Sequence, residues 1–267
     1  MIKKDRIKDK ILAILNQKGG VMKTTLTLLC AQALASLGYS VLVVDMDAQA
    51  DLTTGVGLKE EDKNIFSVLK GDISIIDAIK RVQNFDIIPG TSQMKLWNSI
   101  AKTLKSKESR LKRALKEIEG VYDFILIDNP PALDDATINS LAAATHIIIP
   151  TEAKEFSVKR ILALKEDIDD TKEYLDNPNL RVAGIIPTKV EKGNFGKPKK
   201  TTAQKHIKEL EEVAKKLDTK VFDMFISYNI EYEEIAETKE NVFESSKDSV
   251  PKKEIAKFVK MLIEEVA

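Results

Sequence analysis

Asn16-Gln17-Lys18-Gly19-Gly20-Val21-Met22-Lys23-Thr24-Thr25 is the stretch that decides the fold. An apolar, strand-like run, Ile11 to Leu15, leads into it, and a helix-like stretch from Lys23 to about Leu37 leaves it. Strand, glycine-rich turn and helix in that order read as a phosphate-binding loop. Successive backbone N–H groups from Gly19 to Thr24 point inward and form an anion-binding concavity. The helix start adds its positive dipole end and unpaired N–H groups. Lys23 is placed to reach the β- and γ-phosphates. The Thr24 hydroxyl is placed to ligate a magnesium ion that keeps most of its ligands as water and phosphate oxygens. The expected nucleotide contacts are therefore Gly19, Gly20, Val21, Met22, Lys23, Thr24 and Thr25. The bland alternative is a Gly-Gly turn before an ordinary helix.

One residue is out of place. In the strict pattern Gly-x-x-x-x-Gly-Lys-Ser/Thr the first glycine falls on Gln17 and the second on Met22. Glycine serves where φ is positive or where a Cβ would collide with phosphate. A methionine forced to positive φ adds strain of roughly 1–3 kcal/mol. The remaining amides and Lys23 still hold a nucleotide, so hydrolysis or the closed dimer is what Met22 exposes; the alternative is a harmless variant.

Outward from the loop, β-rich runs alternate with helical patterns. Strand candidates are 11–15, 41–45, 85–88, 122–128, 146–149, 181–186 and 220–226. Most are continuously apolar, as in strands buried on both faces of a parallel sheet. The stretch 201–217 carries Ala203, Ile207, Leu210, Ala214 and Leu217 at helical spacing. The pattern predicts an α/β fold: a doubly wound, mostly parallel sheet with helices on both faces, in a single domain over 1–267. Ligand then sits at the carboxyl ends of the strands, where Asn16, Asp45 and Asp128 fall.

These motifs resemble the ParA/MinD family of deviant Walker A ATPases, whose loop reads Lys-Gly-Gly-Val-Gly-Lys-Thr-Thr. Lys18 stands at the extra lysine that marks the family. Val41-Leu-Val-Val-Asp-Met-Asp-Ala-Gln49 resembles its second motif. Tyr122-Asp-Phe-Ile-Leu-Ile-Asp-Asn-Pro-Pro131 resembles its Walker B strand and switch region. Asp86 to Gly90, His146 to Pro150 and Ile226 to Ala236 fit further segments in order. The resemblance is strongest to ParA-type plasmid and chromosome partition proteins of the Soj-like kind, without an N-terminal helix-turn-helix domain. It implies a P-loop NTPase that binds ATP and Mg2+ and hydrolyses ATP.

The resemblance also assigns roles. Lys23 and Thr24 hold phosphates and metal, Asp128 binds magnesium through water, and Asp45 supports the same metal shell. Asp47 orients the attacking water. Lys18 crosses a dimer interface to neutralise charge on the partner's nucleotide. Thr188 and the 226–230 segment are the guessed adenine pocket. Ala48 replaces a usual proline, Asn129 a usual threonine or cysteine, and Ser227 a proline. Taken singly, each aspartate reads better as a strand-end turn residue; together, in this order, they favour the functional reading.

Composition bounds the rest. The 267 residues carry 42 basic and 42 acidic side chains, so formal net charge is zero and any nucleic-acid binding comes from local patches. The lone cysteine, Cys30, excludes an intrachain disulfide and an iron–sulfur role, and fits a reducing cytoplasm. His146 and His206 have no partners for a triad or a metal site. The N-terminus lacks the apolar core of a signal peptide, and no apolar run is long enough to cross a membrane.

The resemblance implies an ATP-dependent homodimer, non-specific DNA binding and a ParB-like centromere-binding partner, in the cytoplasm and on the nucleoid. The local candidate for phosphate contact is Lys197, Lys199 and Lys200 in a glycine-rich basic loop, beside Lys205 and Lys208. Lys252, Lys253, Lys257 and Lys260 on the last helix are a second. The same loop reads equally well as a solvated turn. Two other functions stay open. A MinD-like membrane ATPase wants a basic amphipathic C-terminal helix, whereas this one ends Glu264-Glu265-Val266-Ala267, so no stable membrane association is expected. A non-hydrolysing nucleotide switch is the reading Met22 favours.

Overall fold

The computed structural model describes residues 7–154, 157–193, 198 and 201–267. Seven strands form one sheet: β1 Lys10–Ile14, β2 Val41–Asp45, β3 Lys80–Val82, β4 Phe85–Ile88, β5 Phe124–Asp128, β6 His146–Glu152 and β7 Arg181–Thr188. Their order across the sheet is β3-β4-β2-β5-β1-β6-β7, and every pairing is parallel except β3 with β4. The helices are α1 Lys23–Ser36, α2 Asp51–Gly55, α3 Ile65–Lys70, α4 Ile75–Ala78, α5 Trp97–Ala101, α6 Arg110–Leu115, α7 Asp135–Ala143, α8 Ser157–Tyr174, α9 Thr201–Lys216, α10 Glu231–Thr238 and α11 Val250–Val266.

The strands are apolar throughout because both sheet faces are covered. In β5, Phe124 and Leu126 join the core under α1 and α11, while Ile125 and Ile127 join the core under α3, α5 and α6. A third cluster packs Ile147, Ile149 and Ile185 against Ile161 and Leu164 of α8 and Leu210 and Val213 of α9. The apolar stripe of α11, from Ile255 to Val266, is buried in the first cluster, which accounts for its amphipathic pattern without a membrane.

Two strand expectations need correction. Residues 220–226 form no strand. Val221 makes an isolated bridge to Ile185, and at Phe222–Met224 the chain turns back on itself, with Met224 N–H donating to the Phe222 carbonyl at 2.7 Å. Conversely, β3 escaped notice because it is three residues long and mostly charged. It pairs antiparallel with β4 through a tight turn at Gln83, where φ is 46°. The central strands end together: Asp45 and Asp128 are register partners, and Ile14 pairs with Asp128 from the other side. Parallel pairing thus brings β1, β2 and β5 to one edge, from which the loop after β1 leaves.

Candidate active site

The loop between β1 and α1 is held from below. The Asn16 side-chain amide donates to the Pro150 carbonyl at 2.8 Å, and its Oδ1 accepts the Lys18 N–H at 2.9 Å. Val21 is fully buried, and its carbonyl accepts the Thr188 hydroxyl at 3.2 Å. Val21 therefore offers the site only its backbone, and Thr188, itself fully buried, is committed to the loop. Gly20 has φ 73°, which glycine takes freely.

Met22 has φ 70° and ψ 27°, in the left-handed region, and occupies the N-cap of α1 without a side-chain cap. Its carbonyl accepts the Leu26 N–H at 2.9 Å, the first bond of the helix. The side chain packs partly buried against the core under α1 and also lines the cavity above the loop. The backbone is thus the one a glycine would adopt, imposed on a residue with a Cβ.

That cavity has a volume of about 340 Å³. Its floor is Gly19, Gly20, Met22, Lys23, Thr24 and Thr25, and Asp47 stands on one side. The far wall comes from Lys189 and from Ser227 to Asn229 and Tyr232. Lys23 is 6% exposed, and its Nζ donates to the Lys18 carbonyl at 3.3 Å. Burial lowers its pKa, against the raising effect of Asp128 and Asp47.

Asp45 and Asp128 lie beneath this floor, both buried. Asp45 Oδ2 accepts the Thr53 hydroxyl at 2.6 Å and the Thr53 N–H at 3.0 Å. Burial pushes the Asp45 pKa up to about 6, with the Thr53 hydrogen bonds working against it. Burial, then the charge of Asp45, raises Asp128 well above the ordinary carboxylate range, opposed by the Thr24 hydroxyl and Lys23. Asp128 Oδ2 is buried without a hydrogen-bond partner. An orphaned carboxylate oxygen beside a threonine hydroxyl and a lysine suits a hydrated divalent cation carried by phosphates. Among the described residues no cluster of three or more His, Cys, Asp or Glu side chains could hold a metal ion by itself. The site thus fits magnesium brought by a nucleotide, whose chemistry is to neutralise charge on the phosphoryl oxygens.

Lys18 does not line its own cavity. Its ammonium pairs with Glu152 at the end of β6, which also pairs with Lys154 at 3.1 Å. Burial pushes the Glu152 carboxyl up, but the hydrogen bonds from Lys18 and Lys154 outweigh it and hold the carboxyl below its usual value. Glu152 and Thr53 are absent from the sequence candidates, whereas Gly90 and Tyr232 lie in the family-like segments 86–90 and 226–236 without an assigned role. Glu152 lies beyond Pro150, where the apolar run ends, and Thr53 carries no motif. Gly90 has a signal in hindsight: a Cβ there would lie 2.6 Å from Asp45 Cγ. Lys197, Lys199 and Lys200 lie outside the described residues.

A family model, the AAA domain AAA_31, matches residues 9–182. The sporulation initiation inhibitor protein Soj of Bacillus subtilis (strain 168) is 35% identical over 230 residues, covering 84% of this chain and 87% of that protein. The chain belongs to the ParA/Soj-type family of P-loop ATPases. Solved structures agree on the fold of this ATPase. Cobyrinic acid a,c-diamide synthase from Mycobacterium smegmatis, with bound ATP analog and magnesium, superposes with a TM-score of 0.80 at 25% identity, covering 95% of this chain and 94% of that one. A putative plasmid partition protein from Borrelia burgdorferi B31, bound to AMPPNP, gives a TM-score of 0.76 at 26% identity, covering 96% and 97%.

Proposed function

We propose that this ATPase is a partition ATPase: it binds ATP with Mg2+, dimerises, binds DNA without sequence preference, and is turned over by a ParB-like centromere-binding protein. The observation that carries the reading is Lys18. It belongs to the phosphate-binding loop yet faces away from its own cavity, onto Glu152. A cation so placed neutralises charge on a nucleotide held by a second copy, the in-trans use that phosphoryl transfer rewards. Within one copy, Lys23 and the loop amides hold phosphates, Thr24 and Asp128 hold the metal, and Asp45 supports that shell. Asp47, at the cavity side, orients water.

DNA binding is assigned to the side of the molecule bearing α9 and α11. There Lys192, Lys208, Lys253 and Lys257 line a cleft of about 890 Å³, together with Glu211, Asp223 and Glu254. Lys197, Lys199 and Lys200 are neighbours of this cleft in sequence. Lysine serves phosphate as a point charge, so binding should be strongly salt-dependent and sequence-tolerant. Among the described residues no helix is long and apolar enough to cross a membrane.

The test measures oligomeric state and duplex DNA binding with ATP, ADP and no nucleotide. ATP-specific dimers that bind random-sequence DNA support the reading; DNA binding indifferent to nucleotide refutes it. A second reading, a nucleotide switch that binds ATP without turnover, is favoured by the left-handed Met22. Single-turnover hydrolysis with DNA and partner protein separates the two.

A further inference from the structure

The nucleotide cavity and the lysine cleft meet at one buried carboxylate. The Glu254 side chain on α11 is 10% exposed. Its Oε2 accepts the Ser227 N–H at 2.9 Å and the Tyr232 hydroxyl at 2.8 Å. Both donors belong to the far wall of the nucleotide cavity. Its Oε1 pairs with Lys192 Nζ at 2.6 Å, and Lys192 and Glu254 both line the lysine cleft. Burial, then the Glu254 charge, raises the Tyr232 pKa, so the phenol stays protonated and donates.

We propose that Glu254 couples the two cavities: DNA phosphate in the lysine cleft draws Lys192 off this carboxylate and thereby tightens nucleotide binding. The inference rests on the DNA-binding reading above and specifies its regulation. The Lys192 side chain is 45% exposed, so its ammonium is open to competition from a phosphate for a charge-assisted bond. A nearly buried carboxylate without its cation is costly unless hydrogen-bonded, and its remaining donors here are the Ser227 N–H and the Tyr232 hydroxyl. Glu254 then holds Ser227 and Tyr232 more firmly and orders the wall against which the nucleotide seats. Linkage makes the effect reciprocal: bound nucleotide raises affinity for DNA by the same factor.

The experiment titrates the full chain with a fluorescent non-hydrolysable ATP analogue and magnesium, with and without saturating random-sequence duplex. In the unmodified chain DNA tightens nucleotide binding about fivefold or more. Glu254→Gln keeps an acceptor for Ser227 and Tyr232 but ends the ion pair. Lys192→Met ends it from the exposed side and leaves the Glu254 carboxylate without its cation, so a thermal melt accompanies the titration. In both, the factor falls severalfold below that of the unmodified chain, to what ATP-dependent dimerisation alone supplies. Lys257→Met, in the same cleft but without a described contact to Glu254, weakens DNA binding and keeps the factor. A factor undiminished by Glu254→Gln and Lys192→Met, or lowered equally by Lys257→Met, overturns the proposal. DNA binding by the unmodified chain with no change in nucleotide affinity overturns this proposal and, by linkage, the partition reading as well. An unmodified chain that binds no DNA overturns the partition reading and this proposal together.

Discussion

The Thr53 hydroxyl donates to Asp45 Oδ2 at 2.6 Å while accepting the Gly90 N–H at 2.8 Å. One small side chain therefore ties α2 to the ends of β2 and β4 and aims a buried carboxylate. Thr53→Val leaves the Gly90 N–H unpaired and Asp45 with fewer donors, an expected loss of roughly 1–3 kcal/mol. Thr53→Ser should recover most of it. Gly90→Ala forces Asp45 to move and should weaken magnesium-dependent nucleotide binding. Thermal melts and magnesium titrations check all three; a Thr53→Val melt equal to the unmodified protein contradicts the assignment.

Lys18 should matter for turnover and little for binding. Lys18→Ala is expected to leave nucleotide affinity nearly intact and to lower partner-stimulated hydrolysis about 10²-fold. Glu152→Gln releases Lys18 from its ion pair and should favour the ATP-bound dimer. Sedimentation of both variants with ATP decides this. Equal loss of nucleotide binding in Lys18→Ala would place the lysine in its own cavity instead.

At Met22 two effects oppose each other. Glycine relieves left-handed strain of about 1–3 kcal/mol. It also forfeits the partly buried thioether, worth about 1 kcal/mol. Stability should therefore change little in Met22→Gly, whereas steady-state hydrolysis should rise. A rate identical to that of the unmodified protein removes Met22 as the cause of slow turnover.

Acid should act on the fold through two groups of opposite sign, the buried Asp45 and the half-buried His146. Burial holds the Asp45 pKa at about 6, above its ordinary 3.8. The folded chain binds the extra proton between those values, so this group costs stability as pH rises through them. Burial, with Lys10 and Arg181 nearby, lowers the His146 pKa to about 4 from 6.5. The unfolded chain binds that proton first, so stability from His146 is full above 6.5 and is lost as pH falls toward 4. Urea melts across this range should show a steeper acid loss in Asp45→Asn and a shallower one in His146→Gln. Parallel profiles in both variants refute the pKa shifts.

The legible parts were those written in local pattern. Helix α1, predicted from Lys23 to about Leu37, spans Lys23–Ser36, because the glycine pair marks its start and a largely apolar run, buried from Leu26 to Leu34, continues it. The continuous apolar runs located six of the seven strands for the same reason. β3 was illegible because a short charged edge strand depends on its partner for its identity, and 220–226 misled because apolar residues bury equally well in an irregular segment.

By itself the sequence determined the order of strands and helices, the phosphate-binding loop and the family. These follow from local periodicity and from glycines and lysines at fixed spacing. Only the tertiary structure decided that Met22 takes a left-handed backbone, that Lys18 turns to Glu152, and that Thr53 and Gly90 clamp Asp45. It alone brought Glu254 between two cavities, against Ser227 and Tyr232 on one side and Lys192 on the other. Such contacts arise from how parallel strands and their crossovers converge at one sheet edge, and no local spacing encodes which side chains meet there.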